Sequence, residues 1–253
     1  MGEHVAPTTP TKKKRSNVFW NIVGVVGELL ITFAFVIGLF SVWQLYWTTY
    51  QVSGQVSQTI ASYEEEHQPA KRTQGEIRTD DPPAFDREVG DGEVYGLVHV
   101  PTWDWMKIPL AEGTTSYVLD QGWAGHYDMT TQPGGVGNFS VAGHRRTYGN
   151  NFRWIDRLTQ GDKVVVEVDD RYLVYSMVSS EIIDATDPTQ MRVVAPVIDD
   201  ESWSEVPTER WMTMTTCHPE YGNWQRYIVH LKFESWTPKD TGVPAELVDE
   251  PTN

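Results

Sequence analysis

The chain has a single cysteine, Cys217, in 253 residues. It lies in the stretch Trp211 to Phe233, WMTMTTCHPEYGNWQRYIVHLKF, with Arg226 nine positions downstream. A thiol attacks carbonyl carbon as the thiolate, and a free cysteine with a pKa of about 8.5 is mostly protonated at neutral pH unless a neighbour activates it. The histidine best placed to do so is His144, in GNFSVAGHRR. His218 adjoins the cysteine, but successive residues of a strand point to opposite faces, so it is a poor choice of base.

These groups need elements that deliver them to one place. Trp211, Met212 and Met214, then Tyr227, Val229, Leu231 and Phe233, alternate as two β-strands, with Cys217 closing the first and Arg226 opening the second. Between them stand His218, Pro219, Gly222 and Asn223, all turn formers. A hairpin of that kind brings Cys217 and Arg226 to one rim of a sheet. Asn138 to Val141 alternates as another strand, and Ala142-Gly143 follows it to place His144 at a strand end.

Further strands are predicted at Val94 to Val100, Met106 to Leu110, Lys163 to Val168, Tyr172 to Ile183 and Arg192 to Pro196, with one helical piece at Thr114 to Gln121. About eight short strands separated by Gly, Asp and Pro turns predict an all-β closed barrel with short helices over residues 93–238. His99 and His230 fall inside strand patterns and read as core or face residues.

The net charge of −15 argues against nucleic-acid binding. One cysteine excludes an intramolecular disulfide, so any exported part of the chain folds on packing alone. Export is predicted by Lys12-Lys13-Lys14-Arg15 ahead of an apolar stretch, with Phe19 and Trp20 at one end and Trp43, Tyr46, Trp47 and Tyr50 at the other. Residues 18–47 therefore read as an uncleaved transmembrane signal anchor, residues 1–17 as a cytoplasmic tail, and the remainder as extracellular. Glu28 lies either near the cytoplasmic face or against a partner helix. The polar segment 48–92 reads as a stalk, helical around Val52 to Glu66, and residues 239–253 as a disordered acidic tail.

Together the anchor, GNFSVAGHR, and TMTTCHP followed by Arg226 resemble the sortases, the bacterial cysteine transpeptidases. The form TTCHP, the segment Gly125-His126-Tyr127 and Gly27-Glu28-Leu29-Leu30-Ile31-Thr32 in the anchor are most similar to class E of high-GC Gram-positive bacteria. The resemblance implies an eight-stranded barrel. It also implies that Cys217 attacks the Thr-Gly carbonyl of a C-terminal sorting signal of LAxTG or LPxTG type to form a thioacyl intermediate. His144 is then implied as acid to the leaving amine and base to the incoming one, and Arg226 as holder of substrate and oxyanion. Thr216 is implied as a substrate or oxyanion contact, and Tyr127 with His126 as substrate-binding residues.

The implied partners are surface proteins bearing sorting signals and a peptidoglycan precursor or other amine. No cofactor is expected, and the histidines show no paired metal-ligand spacing. Pilus polymerisation is the alternative within the family; Asp81-Pro82-Pro83-Ala84-Phe85 only approximates the Asp-Pro-aromatic lid of pilus-type members. Outside it, an L,D-transpeptidase would carry arginine two residues after the cysteine, where Pro219 stands. A papain-like protease would open a helix with an early cysteine. An anchored binding module with a buried cysteine is the non-enzymatic alternative.

Overall fold

Pairs of apolar residues two apart recur along the sequence because each strand turns one face to a shared interior. In the computed structural model, which describes residues 18–67 and 71–251, the strands are β1 (Val94–Val100), β2 (Met106–Glu112), β3 (Ala124–His126), β4 (Gly137–Ala142), β5 (Lys163–Val168), β6 (Arg171–Asp184), β7 (Arg210–His218) and β8 (Gln225–Pro238). They close into one barrel in the order β1-β2-β3-β4-β7-β8-β6-β5. Its interior is filled by Val98 and Val100, Ile108 and Leu110, Phe139 and Val141, Val164 and Val166, Leu173 and Tyr175, Met212 and Met214, Val229 and Leu231.

The all-β barrel is as expected, but the makeup of its eight strands differs in one place. Arg192 to Pro196 is not a strand. Pro188–Val194 winds as a 3-10 helix that seats Val193 and Val194 on the outside of the barrel. The eighth strand is the three-residue β3, whose flanking helix α3 (Ser116–Leu119) falls within the expected helical piece.

The helix α1 (Val18–Val42) is 25 residues of apolar sequence, about 37 Å at 1.5 Å per residue, long enough to cross a bilayer. Its hydroxyls are satisfied within the helix: Thr32 donates to the Glu28 carbonyl and Ser41 to that of Ile37. The expected tail at residues 1–17 lies outside the described residues.

The helix expected around Val52 to Glu66 is present, but the free stalk is corrected, as is the disordered tail as far as residue 251. A compact unit separate from α1 begins at Gln44, and α2 (Thr48–Glu66) packs on the barrel wall. Val52, Val56, Ile60 and Tyr63 form one stripe of the helix, and Ile60 and Tyr63 cover Leu97 on the outer face of β1. Residues 71–92 then run along the barrel, bridging Gln74 to Val243 and Arg78 to Trp236, with Phe85 against the core. At the C-terminus Val243 and Leu247 bury against Val165, Tyr172 and Val174. Apolar cover on the outside of β1, β5 and β6 is the physical reason these segments are ordered: without it, Leu97, Val165 and Val174 would face water.

Candidate active site

Met212 and Met214 point into the barrel, so alternation puts Thr213, Thr215 and Cys217 on the outer face of β7. The floor beside them is polar. The Thr213 hydroxyl lies 2.8 Å from Asn138 Oδ1 and 2.9 Å from His230 Nδ1, and the Asn138 amide donates to the carbonyls of Val193 and Ala195. These bonds tie the 3-10 helix Pro188–Val194 over the outer face, and Cys217, near the end of β7, is partly exposed.

Cys217 pairs in register with Arg226 across the antiparallel β7 and β8, which sets their Cβ atoms about 5 Å apart on the same face. The guanidinium rests on main chain: Nη1 donates to the carbonyls of Asn223 at 2.7 Å and Gln225 at 2.9 Å. Among the described residues it has no carboxylate partner, so its charge is available to an anion forming at the cysteine.

His144 is brought to the same rim by the parallel pairing of β4 with β7, in which Ala142 faces Thr215. The residue between, Gly143, is tied twice. Its N–H donates to the Thr215 carbonyl at 3.1 Å, and its own carbonyl accepts the Thr216 hydroxyl at 2.6 Å. The chain entering His144 is thus fastened to the two residues that precede Cys217. A Cβ on Gly143 would lie 2.8 Å from ring carbons of the buried Phe152. Past this point, the imidazole Nε2 meets Asp120 Oδ1 at 2.8 Å and the ring packs on Tyr148 with centroids 5.3 Å apart. Sequence reasoning missed both partners. Asp120 is 24 residues upstream, in a turn with no pattern of its own.

The expected substrate contacts divide. Tyr127 lies against Ile183, Val193, Val194 and Ile228, with its hydroxyl 2.9 Å from Thr215 Oγ1. Burial pushes its phenol above the ordinary 10, more than the Thr215 bond and the Arg226 charge pull it down, with Cys217 adding to the rise. It therefore stays a neutral donor beside both groups. Thr216 is buried and its hydroxyl donates to the Gly143 carbonyl, so it ties β4 to β7.

His126 is wholly buried beneath Tyr95 and Phe139, with Glu112 on Nδ1 at 2.9 Å and the Thr131 carbonyl on Nε2 at 3.0 Å. The expectation that it binds substrate is corrected, because neither ring nitrogen is free. His218 is occupied as well: its Nδ1 accepts from Arg145 Nη1 at 2.9 Å, and burial with the Arg145 charge pulls its pKa below the ordinary 6.5. Arg145 also reaches Asp156 at 2.7 Å, bracing the His144 loop against the end of β7. Among the described residues no group of three or more His, Cys, Asp or Glu is arranged to hold a metal ion.

A thiol, an imidazole and an unpaired guanidinium on one rim of a closed barrel can together carry acyl transfer, and comparison with known proteins gives the constellation a family. The sortase domain model matches residues 98–234, a span that contains Cys217, His144 and Arg226. The chain belongs to the sortase family. This sortase is 37% identical over 229 residues to Sortase SrtE1 of Streptomyces coelicolor, covering 88% of the chain and 60% of the relative's length. The structure is similar to that of the SrtA sortase from Actinomyces oris, with 43% identity and a TM-score of 0.64 over 70% of this chain and all of that one. It is also similar to Sortase E1 from Streptomyces coelicolor with a tripeptide in the active site, at 37% identity and a TM-score of 0.55 over 63% of this chain and 99% of that one. Within the family the sortase is placed with class E by these relatives.

Proposed function

We propose that this sortase is a membrane-anchored transpeptidase that cleaves a C-terminal sorting signal between Thr and Gly and joins the protein to a cell-wall amine. The observation that carries the reading is the double tie at Gly143, which fixes the approach to His144 on the strand that bears Cys217. The tripeptide in the Streptomyces coelicolor Sortase E1 active site supports a peptide substrate at the corresponding place here.

In the first half-reaction Cys217 Sγ, as thiolate, attacks the Thr carbonyl carbon. The resulting oxyanion faces Arg226, whose charge does not depend on pH in the working range. The C–N bond to Gly breaks as His144 gives its proton to the leaving amine, and a thioester remains. In the second half an acceptor amine attacks the thioester carbon and loses its proton to His144. The tetrahedral adduct then expels the Cys217 thiolate and leaves a new amide. Neutral Tyr127 stands beside Thr215 and selects among sorting signals. α1 serves as the single-pass anchor, with the basic cluster on the cytoplasmic side and the barrel outside the cell.

The test is mass spectrometry of the full chain in detergent micelles, incubated with LAxTG and LPxTG peptides and a diglycine acceptor. The expected products are the released Gly-containing fragment, a thioacyl adduct on Cys217, and the ligated peptide. Cys217→Ala is expected to abolish all of them and His144→Ala to reduce them severely, with the fold retained in both. Product formation by Cys217→Ala, or near-wild-type turnover by His144→Ala, overturns the mechanism.

A further inference from the structure

The imidazole of His144 is held by two turns that do not belong to the barrel. One is the turn after α3, where Asp120 meets Nε2. The other carries Tyr148, whose ring lies on the imidazole. Each turn contains a glycine in the left-handed region, Gly122 at φ 79° and Gly149 at φ 96°, and the two glycines abut. A Cβ on Gly122 would lie 2.9 Å from the Tyr148 carbonyl oxygen, and one on Gly149 would lie 3.5 Å from Gly122 Cα.

What closes over this junction is α2. Val56 Cγ2 is 2.9 Å and Val52 Cγ2 3.6 Å from the Cβ position of Gly122, and Val52 Cγ2 is 3.5 Å from that of Gly149. Between them, Gln55 Nε2 donates to Gln121 Oε1 at 2.7 Å. The other end of the helix is fixed to the barrel wall. Ile60 and Tyr63 cover Leu97, the Tyr63 hydroxyl reaches the Tyr95 carbonyl at 3.4 Å, and Lys107 Nζ donates to Glu64 at 2.6 Å. At 1.5 Å per residue about 18 Å of helix separates Val52 from Glu64. α2 is therefore a strut that runs from the barrel wall to the turns that hold the base.

We propose that Val52, Gln55 and Val56 of α2 are positioning residues for His144, acting through the Asp120–Gly122 and Tyr148–Gly149 turns. This rests on His144 as the acid and base of the proposed transpeptidation. Gly122 admits no side chain between helix and turns, so the valine methyls set how closely the turns meet, and the turns set where the imidazole stands. A helix that only covered apolar surface would affect stability alone. One that positions the base changes the chemical step, because a misplacement near 1 Å costs about 100-fold in rate.

The experiment is steady-state cleavage of a sorting-signal peptide by the full chain in micelles, with thermal melts of each variant. Truncating both valines, V52A/V56A, is expected to lower kcat about 10-fold, short of the ~100-fold of a full misplacement, with KM within about 2-fold. L247A, on the outside of β5 and β6 in a cluster that holds no α2 residue, is expected to lower Tm at least as much with kcat within about 2-fold, since residues far from the reacting groups and without shared partners act independently. Q55A, which removes an exposed hydrogen bond and no packing, is expected to lower kcat about 3-fold; it carries the test if the double variant fails to fold. Equal kcat losses in V52A/V56A and L247A, or unchanged kcat in V52A/V56A and Q55A, overturn the proposal. H144A separates the two layers: if it retains turnover the reading of the base has failed, whereas inactive H144A with unaffected α2 variants refutes the strut alone.

Discussion

His99 lies buried on the outer face of β1 with Glu250 on Nδ1 and Glu167 on Nε2, each at 2.8 Å. Both ring nitrogens then donate to carboxylates, which requires the imidazolium. Lys239 at 2.7 Å from Glu167 and Lys107 at 3.1 Å from Glu250 share the remaining charge. Burial alone pushes the His99 pKa down, but the two carboxylates reverse this and carry it from the ordinary 6.5 to about 9. Because the folded value is the higher one, the stabilisation is fully present below pH 6.5 and is lost as pH rises through 9. A difference of about 2.5 in pKa, at 1.36 kcal/mol for each pKa unit, is on the order of 3 kcal/mol. For a chain of this size each kcal/mol moves Tm by about 2–4 °C, so the loss amounts to about 10 °C. Melts of the full chain followed by circular dichroism between pH 6.5 and 9, beside those of His99→Gln, isolate the group. The variant is expected to melt lower at the acid end and to lack this fall. Parallel Tm curves for the two proteins would refute the assignment of a buried imidazolium.

Arg226→Ala is expected to lower kcat by about 10²–10³, the usual loss of one oxyanion donor, with Tm little changed; a small loss of kcat removes it from the mechanism. Tyr127→Phe deletes only the hydroxyl that meets Thr215. It is expected to narrow the ratio of kcat/KM between LAxTG and LPxTG peptides, chiefly by slowing the alanine substrate, since a buried polar partner is left unpaired. An unchanged ratio in an enzyme that does prefer LAxTG makes Tyr127 a packing residue. Gly143→Ala drives a methyl into the Phe152 ring and is expected to cost about 1–3 kcal/mol and to depress kcat, as read by melts and steady-state rates. Full activity there would mean the tie at Gly143 is not needed to place His144.

The cysteine, its arginine and the strands that carry them are legible because alternation and turn formers act over a few residues, and the hairpin of β7 and β8 is local. Contacts across the barrel leave weaker traces. β3 is too short to alternate, and Val193-Val194 gave a strand-like run because it packs on a sheet without joining one. Asp120 and Tyr148 are tied to His144 by the fold alone. His126 looked available next to Tyr127, yet Glu112 and the Thr131 carbonyl occupy it inside the barrel. One clue did lie in the open. Val164, Val165 and Val166 are apolar without interruption, which means both faces of β5 are covered, and the cover is the C-terminal segment read as disordered. Likewise the apolar residues of α2 recur every three to four positions, which implies a helix but not its partner.

Closure of the barrel has a consequence for a protein whose proposed substrates are extended peptides. An open sheet edge offers rows of free N–H and C=O groups, and any unfolded segment drifting past can add to it as a strand whatever its sequence. Here each of the eight strands has a neighbour on both sides. Where β6 outruns β5, from Met177 to Asp184, its flank carries Glu181 held by Arg192 of the adjoining 3-10 helix. Main-chain capture, which is indifferent to sequence, is limited to such short flanks, and on the proposed function an arriving tail is recognised by the side chains around Cys217. On the proposed function, a peptide is then selected by a handful of rim residues, and a tail lacking their match finds nothing to hold.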